Sequence, residues 1–451
     1  MNTLKKVLLS VAATMCICIV LLIVACIPRQ AIYENTLISA NYFANRQPFE
    51  PLLDDYINSI QDNFSDTLLC DISYCIDERH PFKSVIQAKY TQGEMQQAYE
   101  GLLSAVNDAE APNMEYGRYW HGSLVLIRPL LLIMPIDKIR ILCGITICTI
   151  QLVIIVMLIR RKNIAFACCY LIAFILIHPW MLFTSLEYGT AFLAASVASL
   201  VMVLGQDRST ARLMAFFAIT GVITCFVDFL TTETLTFTMP MLLFLANKAQ
   251  KEKNESPINR RNAKKDQTVG KIKVNCMLVI YSGLCWFAGY LGMFVMKIIL
   301  LTVVAGKDTM ITSLQEGLFR LGGDVRKSNV SSSQTVDFAR RLSGAIWHNL
   351  ACLYPTHAGV MEAGGVWLTT GLILIAGLIL VYLLHDRIEL QIVIPMVMIA
   401  LVPFMRFLVL SNHSYVHFFI TYRVLMTTIA VYLFFVYDNA IRHIVKAKRK
   451  K

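Results

Sequence analysis

Charge is scarce in this chain, and what little there is lies segregated. Only 16% of the 451 residues are charged while 56% are hydrophobic, against about 25% charged and roughly 45–50% apolar in ordinary soluble proteins. That excludes a soluble globular domain and leaves a polytopic membrane protein. No internal repeat and no low-complexity tract is present, which weakens an inverted-repeat transporter, whose halves often share a weak symmetry of broken spans. The 13 cysteines form neither a disulfide framework nor a zinc spacing, and most, such as Cys16, Cys143 and Cys225, sit inside apolar runs where a thiol packs as a small core residue. The net charge of +11 does not point to nucleic acid, because the basic residues flank apolar runs in short clusters rather than forming one patch.

What is present is a series of apolar runs. Val7 to Ile27 follows Lys5 and Lys6 and has about the 20 residues a helix needs to cross the hydrocarbon. Further runs lie near Ile139 to Ile159, Ile164 to Phe183, Ala191 to Leu204, Leu213 to Phe226, Leu235 to Ala246, Val274 to Val304, Val366 to Leu384, Ile392 to Leu408 and Val424 to Tyr437. The reading is an all-α integral membrane protein of about ten transmembrane helices, with a large outer loop of interface helices after the first span. The chain divides into a first transmembrane helix (1–27), an extracytoplasmic loop with amphipathic helices (28–122), a transmembrane bundle (123–247), a basic cytoplasmic loop (248–273), a transmembrane helix (274–304), a second extracytoplasmic loop (305–365), and C-terminal transmembrane helices with a basic cytoplasmic tail (366–451).

Orientation follows from charge. The segment Pro28 to Gly122 has 14 acidic and 6 basic residues, whereas Lys248 to Lys273 has nine basic and three acidic. With both termini cytoplasmic, every strongly basic cluster, including Arg160 to Lys162, Arg387 and Arg442 to Lys451, falls on one face of the cell membrane.

Candidate chemistry collects on the other face. Pro51 to Leu69 has the apolar spacing of an amphipathic helix, with Asp55, Asp62 and Asp66 on its polar side, so it could hold carboxylates at headgroup level. Cys70 and Cys75 lie beside it in an oxidising compartment and are expected to bridge. Arg118, His121 and Arg128 can form a cationic nest for a phosphate, since arginine offers bidentate hydrogen bonds. Asp228 puts a carboxylate at the end of a span, and Lys297 is an ionisable group inside one. His413 and His417, four apart, share a face if helical and, with Arg423, suit phosphate or hydroxyl recognition better than a metal site.

The order of one span, a long acidic outer loop, Tyr116 to Gly122, Val227 to Leu230 and Asn412 to Arg423 resembles an uncharacterised family of bacterial polytopic membrane proteins over most of the chain. More remotely, the architecture is similar to that of the GT-C superfamily of membrane glycosyltransferases. That resemblance implies transfer of a sugar from a polyprenyl-phosphate donor to an envelope acceptor on the outer face, with a carboxylate as general base. The superfamily's acidic pair comes soon after the first span; here only Asp54-Asp55 offers one, and later. The base is therefore left among Asp66, Asp54, Asp55 and Glu34, with Arg118, His121, Arg128, Asp228, His413, His417 and Arg423 as the group binding the substrate phosphate. No cofactor is called for, a divalent cation stays open, and the partners are a polyprenyl-phosphate-linked sugar and membrane lipids, not nucleic acid. Two alternatives stand beside this: a transporter or flippase of a lipid-linked saccharide, and a noncatalytic scaffold for a cell-envelope partner.

The orientation is tested by a membrane-impermeant thiol reagent on intact cells, with a cysteine placed at Gln96 or at Ser256. Labelling above the native background is expected at Gln96 alone, and the reverse pattern refutes the topology.

Overall fold

The computed structural model describes residues 3–54, 56–93, 97–205, 209–255, 265–322, 338–354, 363–384 and 388–441. Asp55, His357, Arg387 and the tail Arg442 to Lys451 lie outside them. Nineteen α-helices are described: α1 (Thr3–Ala25), α2 (Arg29–Ala44), α3 (Asn63–Cys75), α4 (Pro81–Gln87), α5 (Ala98–Asn107), α6 (Leu124–Leu130), α7 (Ile136–Arg160), α8 (Ile164–Leu176), α9 (Glu187–Leu204), α10 (Thr210–Val227), α11 (Leu235–Glu255), α12 (Lys265–Ala305), α13 (Lys307–Gly322), α14 (Phe338–Ala351), α15 (Ala363–Leu384), α16 (Leu390–Val409), α17 (Ser411–Val416), α18 (Phe418–Thr421) and α19 (Met426–Val436). The only paired strands among the described residues are β1 (Lys89–Tyr90) and β2 (Met114–Glu115), antiparallel.

Each of the ten apolar runs contains helix, as hydrocarbon requires of a backbone that must satisfy its own hydrogen bonds, though Ile164 to Phe183 breaks at His178 into α8 and a 3-10 turn. Seven helical segments among the described residues are long and apolar enough to cross a membrane: α7, α9, α10, Val269–Ala305 of α12, α15, α16 and Phe418–Ala440. An eighth arises if Ala12–Ala25 and Arg29–Ala44, bent by 84°, count as one broken span. The remaining two runs fall short for physical reasons. α8 has 13 residues, about 20 Å of helix against ~30 Å of hydrocarbon, and α11 ends in the charged turns Lys248 to Glu255.

Two apolar cores hold the bundle. The larger runs through α7 to α11, α16, α18 and α19. The smaller lies where α1, α10 and α12 meet Ile72, Ile86 and Trp120 of the first loop. α10 and α12 touch backbone to backbone: a Cβ added at Gly289 would come 2.1 Å from the Ala218 carbonyl oxygen, and one at Gly221 1.9 Å from that of Trp286. Small residues of this kind let membrane helices approach without a hydrophobic driving force.

The segment 28–122 is bound to this bundle. Lys297 Nζ donates to the carbonyls of Val85 (3.2 Å) and Ile86 (2.8 Å), so this lysine, buried within α12, neither faces lipid nor lines an open path. Trp120 Nε1 donates to Met293 O at 3.0 Å, and Gly122 N to Phe226 O at 2.8 Å. Two expectations are corrected. Pro51 to Leu69 is not one helix: Pro51 bridges back to Ile60, Ile57–Ser59 is a single 3-10 turn, and α3 starts only at Asn63, with Asp62 capping it through Ser65 N at 2.9 Å. Cys70 and Cys75 are both free; five positions apart on α3, they point about 140° from each other, and Cys75 Sγ donates instead to Asp71 at 3.1 Å.

Gly289→Leu is expected to force α10 and α12 apart and to destabilise the fold by about 1–3 kcal/mol or more. Thermal unfolding in detergent reads this directly, with Gly292→Leu, where an added Cβ meets nothing within 4 Å, as the neutral control.

Candidate functional site

The polar groups of the first loop meet the ends of the long helices in one buried layer. Asp66, one turn into α3, is fully buried. Its carboxylate accepts from Arg140 Nε (2.6 Å), Leu186 N (2.8 Å) and Glu187 N (3.1 Å). Arg140 also donates to Asn63 Oδ1 (2.9 Å) and the Asp62 carbonyl (3.0 Å). Burial pushes the Asp66 carboxyl up to about 6, with Arg140 opposing. Both Asp66 oxygens are thus engaged. Glu187, the first residue of α9, reaches the Asp62 carboxyl and the Ser65 side chain, so two carboxyls meet beside the engaged one. Of the remaining acid candidates, Glu34 and Asp54 are exposed.

Next to it stands an aromatic and basic corner. The Arg118 guanidinium lies 4.2 Å from the Tyr116 ring centre and 5.2 Å from that of Tyr119, and its Nε is buried without a partner. His121, in the left-handed region at φ 52, has Nε2 on the Tyr116 carbonyl at 2.8 Å. Burial pushes it down to about 3, so it is a neutral ring. The charges of Arg118, Arg320 and Glu187 all act on the Tyr116 hydroxyl. A groove of 290 Å³ opens beside it, lined by Glu115, Tyr116, Arg118, Thr312, Ser313 and Glu316 among others.

His413 and His417 do share a face, with ring centres 4.6 Å apart. Arg320 Nη1 faces both, at 3.4 Å from His413 Nδ1 and 3.2 Å from His417 Nε2. Burial and Arg320 push His417 down to about 3, and burial and His417 hold His413 well below the usual histidine range. The cation of this corner is therefore Arg320. Nearby, Arg406 donates to Glu233 (2.8 Å) and Ser414 (2.9 Å). Asp228 accepts from Thr231 Oγ1 (2.6 Å), Thr231 N (3.1 Å) and Thr232 N (3.2 Å), closing the turn that holds Leu230 at φ 66; burial and Glu233 push it up to about 7.

Arg423 stands apart from the histidine pair. It is 1% exposed, 4.3 Å from the Tyr188 ring centre and 4.7 Å from that of Tyr422. Its Nη1 donates to Phe419 O at 2.7 Å, while Nε and Nη2 are buried without partners. Arg128 does not join the cationic nest at all: both of its terminal nitrogens donate to carbonyls, those of Ser73 and Ile27. The sequence reading missed Arg140, Glu187, Glu233, Arg320 and Arg406. Arg320 alone left a readable signal, as the basic residue on the polar face of α13. Among the described residues, no group of three His, Cys, Asp or Glu side chains is placed to hold a metal. Compared with known proteins, the chain matches no family model, no curated protein and no solved structure.

One turn beyond Asp66, buried Asp71 accepts from Thr91 N at 3.0 Å as well as from Cys75. Burial pushes it up to about 7. A carboxyl whose folded pKa is raised contributes most below its unfolded value of about 4, and its contribution is lost as pH rises toward 7. Thermal stability of the unmodified protein is expected to fall over that interval more steeply than that of Asp71→Asn, and parallel curves would count against it.

Proposed function

We propose that the chain is a membrane glycosyltransferase of GT-C-like architecture, moving a sugar from a polyprenyl-phosphate donor to a hydroxyl of an envelope acceptor on the outer face of the cell membrane. The observation that carries this reading is that buried guanidinium groups with open N–H donors, on Arg118, Arg320 and Arg423, occupy the same polar layer as the Asp62 and Glu187 carboxyls. A buried donor without a partner costs about 1–3 kcal/mol, more when charged, so such groups suit a site completed by an anion. On Arg423 the open Nε and Nη2 form one edge of the guanidinium, the geometry that grips an oxyanion bidentately.

In the reaction this implies, a carboxylate takes the proton of the acceptor hydroxyl, the acceptor oxygen bonds to the anomeric carbon, and the bond from that carbon to the phosphate oxygen breaks with its electron pair leaving on the phosphate. The arginines steady that charge. Asp66, the first choice on sequence, is occupied by Arg140 and the start of α9, so the base role passes to Asp62 and Glu187. The buried Glu233–Arg406 pair, at the end of α16 beside the histidine corner, favours a flippase of a lipid-linked saccharide as the second reading, since buried ionisable groups at the rim of a bundle can mark the mouth of a transport path.

The test is sugar release from a panel of polyprenyl-phosphate sugars by the protein in lipid nanodiscs. Glu187→Gln or Asp62→Asn is expected to lower turnover by about 10²–10⁴-fold, with Glu34→Gln unchanged. Wild-type rates in all three variants would remove the acid–base assignment, and no turnover of any donor by the unmodified protein would leave the flippase reading.

A further inference from the structure

α12 ends at Ala305 and the chain turns at Gly306, whose φ of +91 is open to glycine at little cost. α13 leaves this turn with two opposed faces. Ile311, Leu314, Leu318 and Leu321 are 39%, 38%, 65% and 42% exposed and fall within an arc of about 80° at helical spacing. On the opposite side stand Thr309, Thr312, Ser313 and Glu316, which line the 290 Å³ groove with Tyr116 and Arg118, and Arg320, which faces His413 and His417. The polar side is fixed in place: Ser411 Oγ donates to Leu321 O at 3.1 Å and Asn412 Nδ2 to Phe319 O at 2.9 Å. The apolar side is partly exposed among the described residues, and it follows directly on the exposed apolar residues Ile299 and Val303 of α12 (57% and 77%). Lys307 stands at the start of the same side, exposed, where a long stem can reach from apolar surface to water.

We propose that α13 lies in the plane of the membrane interface, its apolar face on the lipid acyl boundary and its polar face walling a headgroup groove. The ligand of that groove is then an amphiphile whose phosphate-bearing head meets Arg118 among the carboxylates Glu115, Asp308 and Glu316, with Arg320 beyond the lining, while its chain stays in the bilayer. Lipid is the occupant, rather than a second copy, because the face continues the exposed apolar surface of a helix long enough to span the membrane and carries the amphipathic pattern of an interface helix. The headgroup half of the inference rests on the reading of the polar layer given above; the lipid contact stands without it.

The experiment uses the full chain in nanodiscs, with Cys16→Ser, Cys26→Ser and Cys168→Ser removing the exposed native thiols. A bimane label is placed by Leu318→Cys or Thr312→Cys, and the lipid is phosphatidylcholine with or without brominated chains. Quenching is expected to be at least about twofold stronger at Leu318 than at Thr312. No quenching at Leu318, or a Leu318→Cys disulfide between two copies, overturns the interface assignment. In the second arm, polyprenyl phosphate and inorganic phosphate are each titrated. Binding of the lipid phosphate is expected to be tighter and to weaken about tenfold in Arg320→Gln with quenching unchanged, as loss of a charged hydrogen bond predicts. Equal binding of the two phosphates, or no effect of Arg320→Gln, overturns the headgroup assignment. Turnover enters neither readout, so failure here is separable from failure of the glycosyltransferase reading.

Discussion

The first N–H groups of a helix have no partner within it, and at the polar end of α9 one carboxylate answers two of them. Asp66 accepts from Leu186 N and Glu187 N and is held from the other side by Arg140 of α7. An acid at a helix N-terminus meets both the orphan donors and the positive end of the helix dipole. Because this acid comes from α3, the arrangement locks the first loop, α7 and α9 together at one point. It also fixes the two carboxyls that flank it, Asp62 before α3 and Glu187 at the head of α9. Replacing one partner of a buried pair like Asp66–Arg140 costs about 3–5 kcal/mol, far more than an exposed contact would, so the geometry around it is held stiffly.

The cations obey the complementary rule. Arg128 donates to Ile27 O, just past α1, and to Ser73 O in the last turn of α3. Lys297 donates to Val85 O and Ile86 O in the last turn of α4. These are the orphan carbonyls at the negative ends of helices, where a positive side chain is favourable. Of the buried charges near this layer, then, some are consumed in joining helix ends. Arg128 still leaves its Nε buried without a partner, as Arg118 and Arg320 do, and Arg423 differs from all three in leaving two open donors, Nε and Nη2.

How much of this was readable from the sequence follows from how far apart the partners lie. Spans were legible in part because lipid demands a continuous apolar run, and seven of the ten runs, or eight with the bent pair, became helices long enough to cross. The histidine pair was legible because i and i+4 share a face. Pro51 to Leu69 misled because apolar spacing alone does not see the break that Pro51 and the turn at Asp54 impose; the capping signal at Asp62, immediately before α3, was the better guide. The partners that decide each acid's role were out of reach: Asp66 and Arg140 are separated by 74 positions, Glu233 and Arg406 by 173. No local pattern encodes such pairs, so Asp66 read as an available base when it is a structural anchor, and Arg128 read as a phosphate ligand when it ties two helix ends.

Burial also sorts the layer by what each group can do. His121 and His417 are pushed down to about 3 and His413 is held well below the usual range, so none of them carries charge near neutral pH. Their rings serve as walls and hydrogen-bonding partners. The positive charge rests on arginines, which stay protonated throughout the physiological range. The positive charge of the layer is then insensitive to pH over that range. The charges of the layer at neutral pH are therefore those of its arginines and carboxyls, with Arg320 and Glu187 both acting on Tyr116.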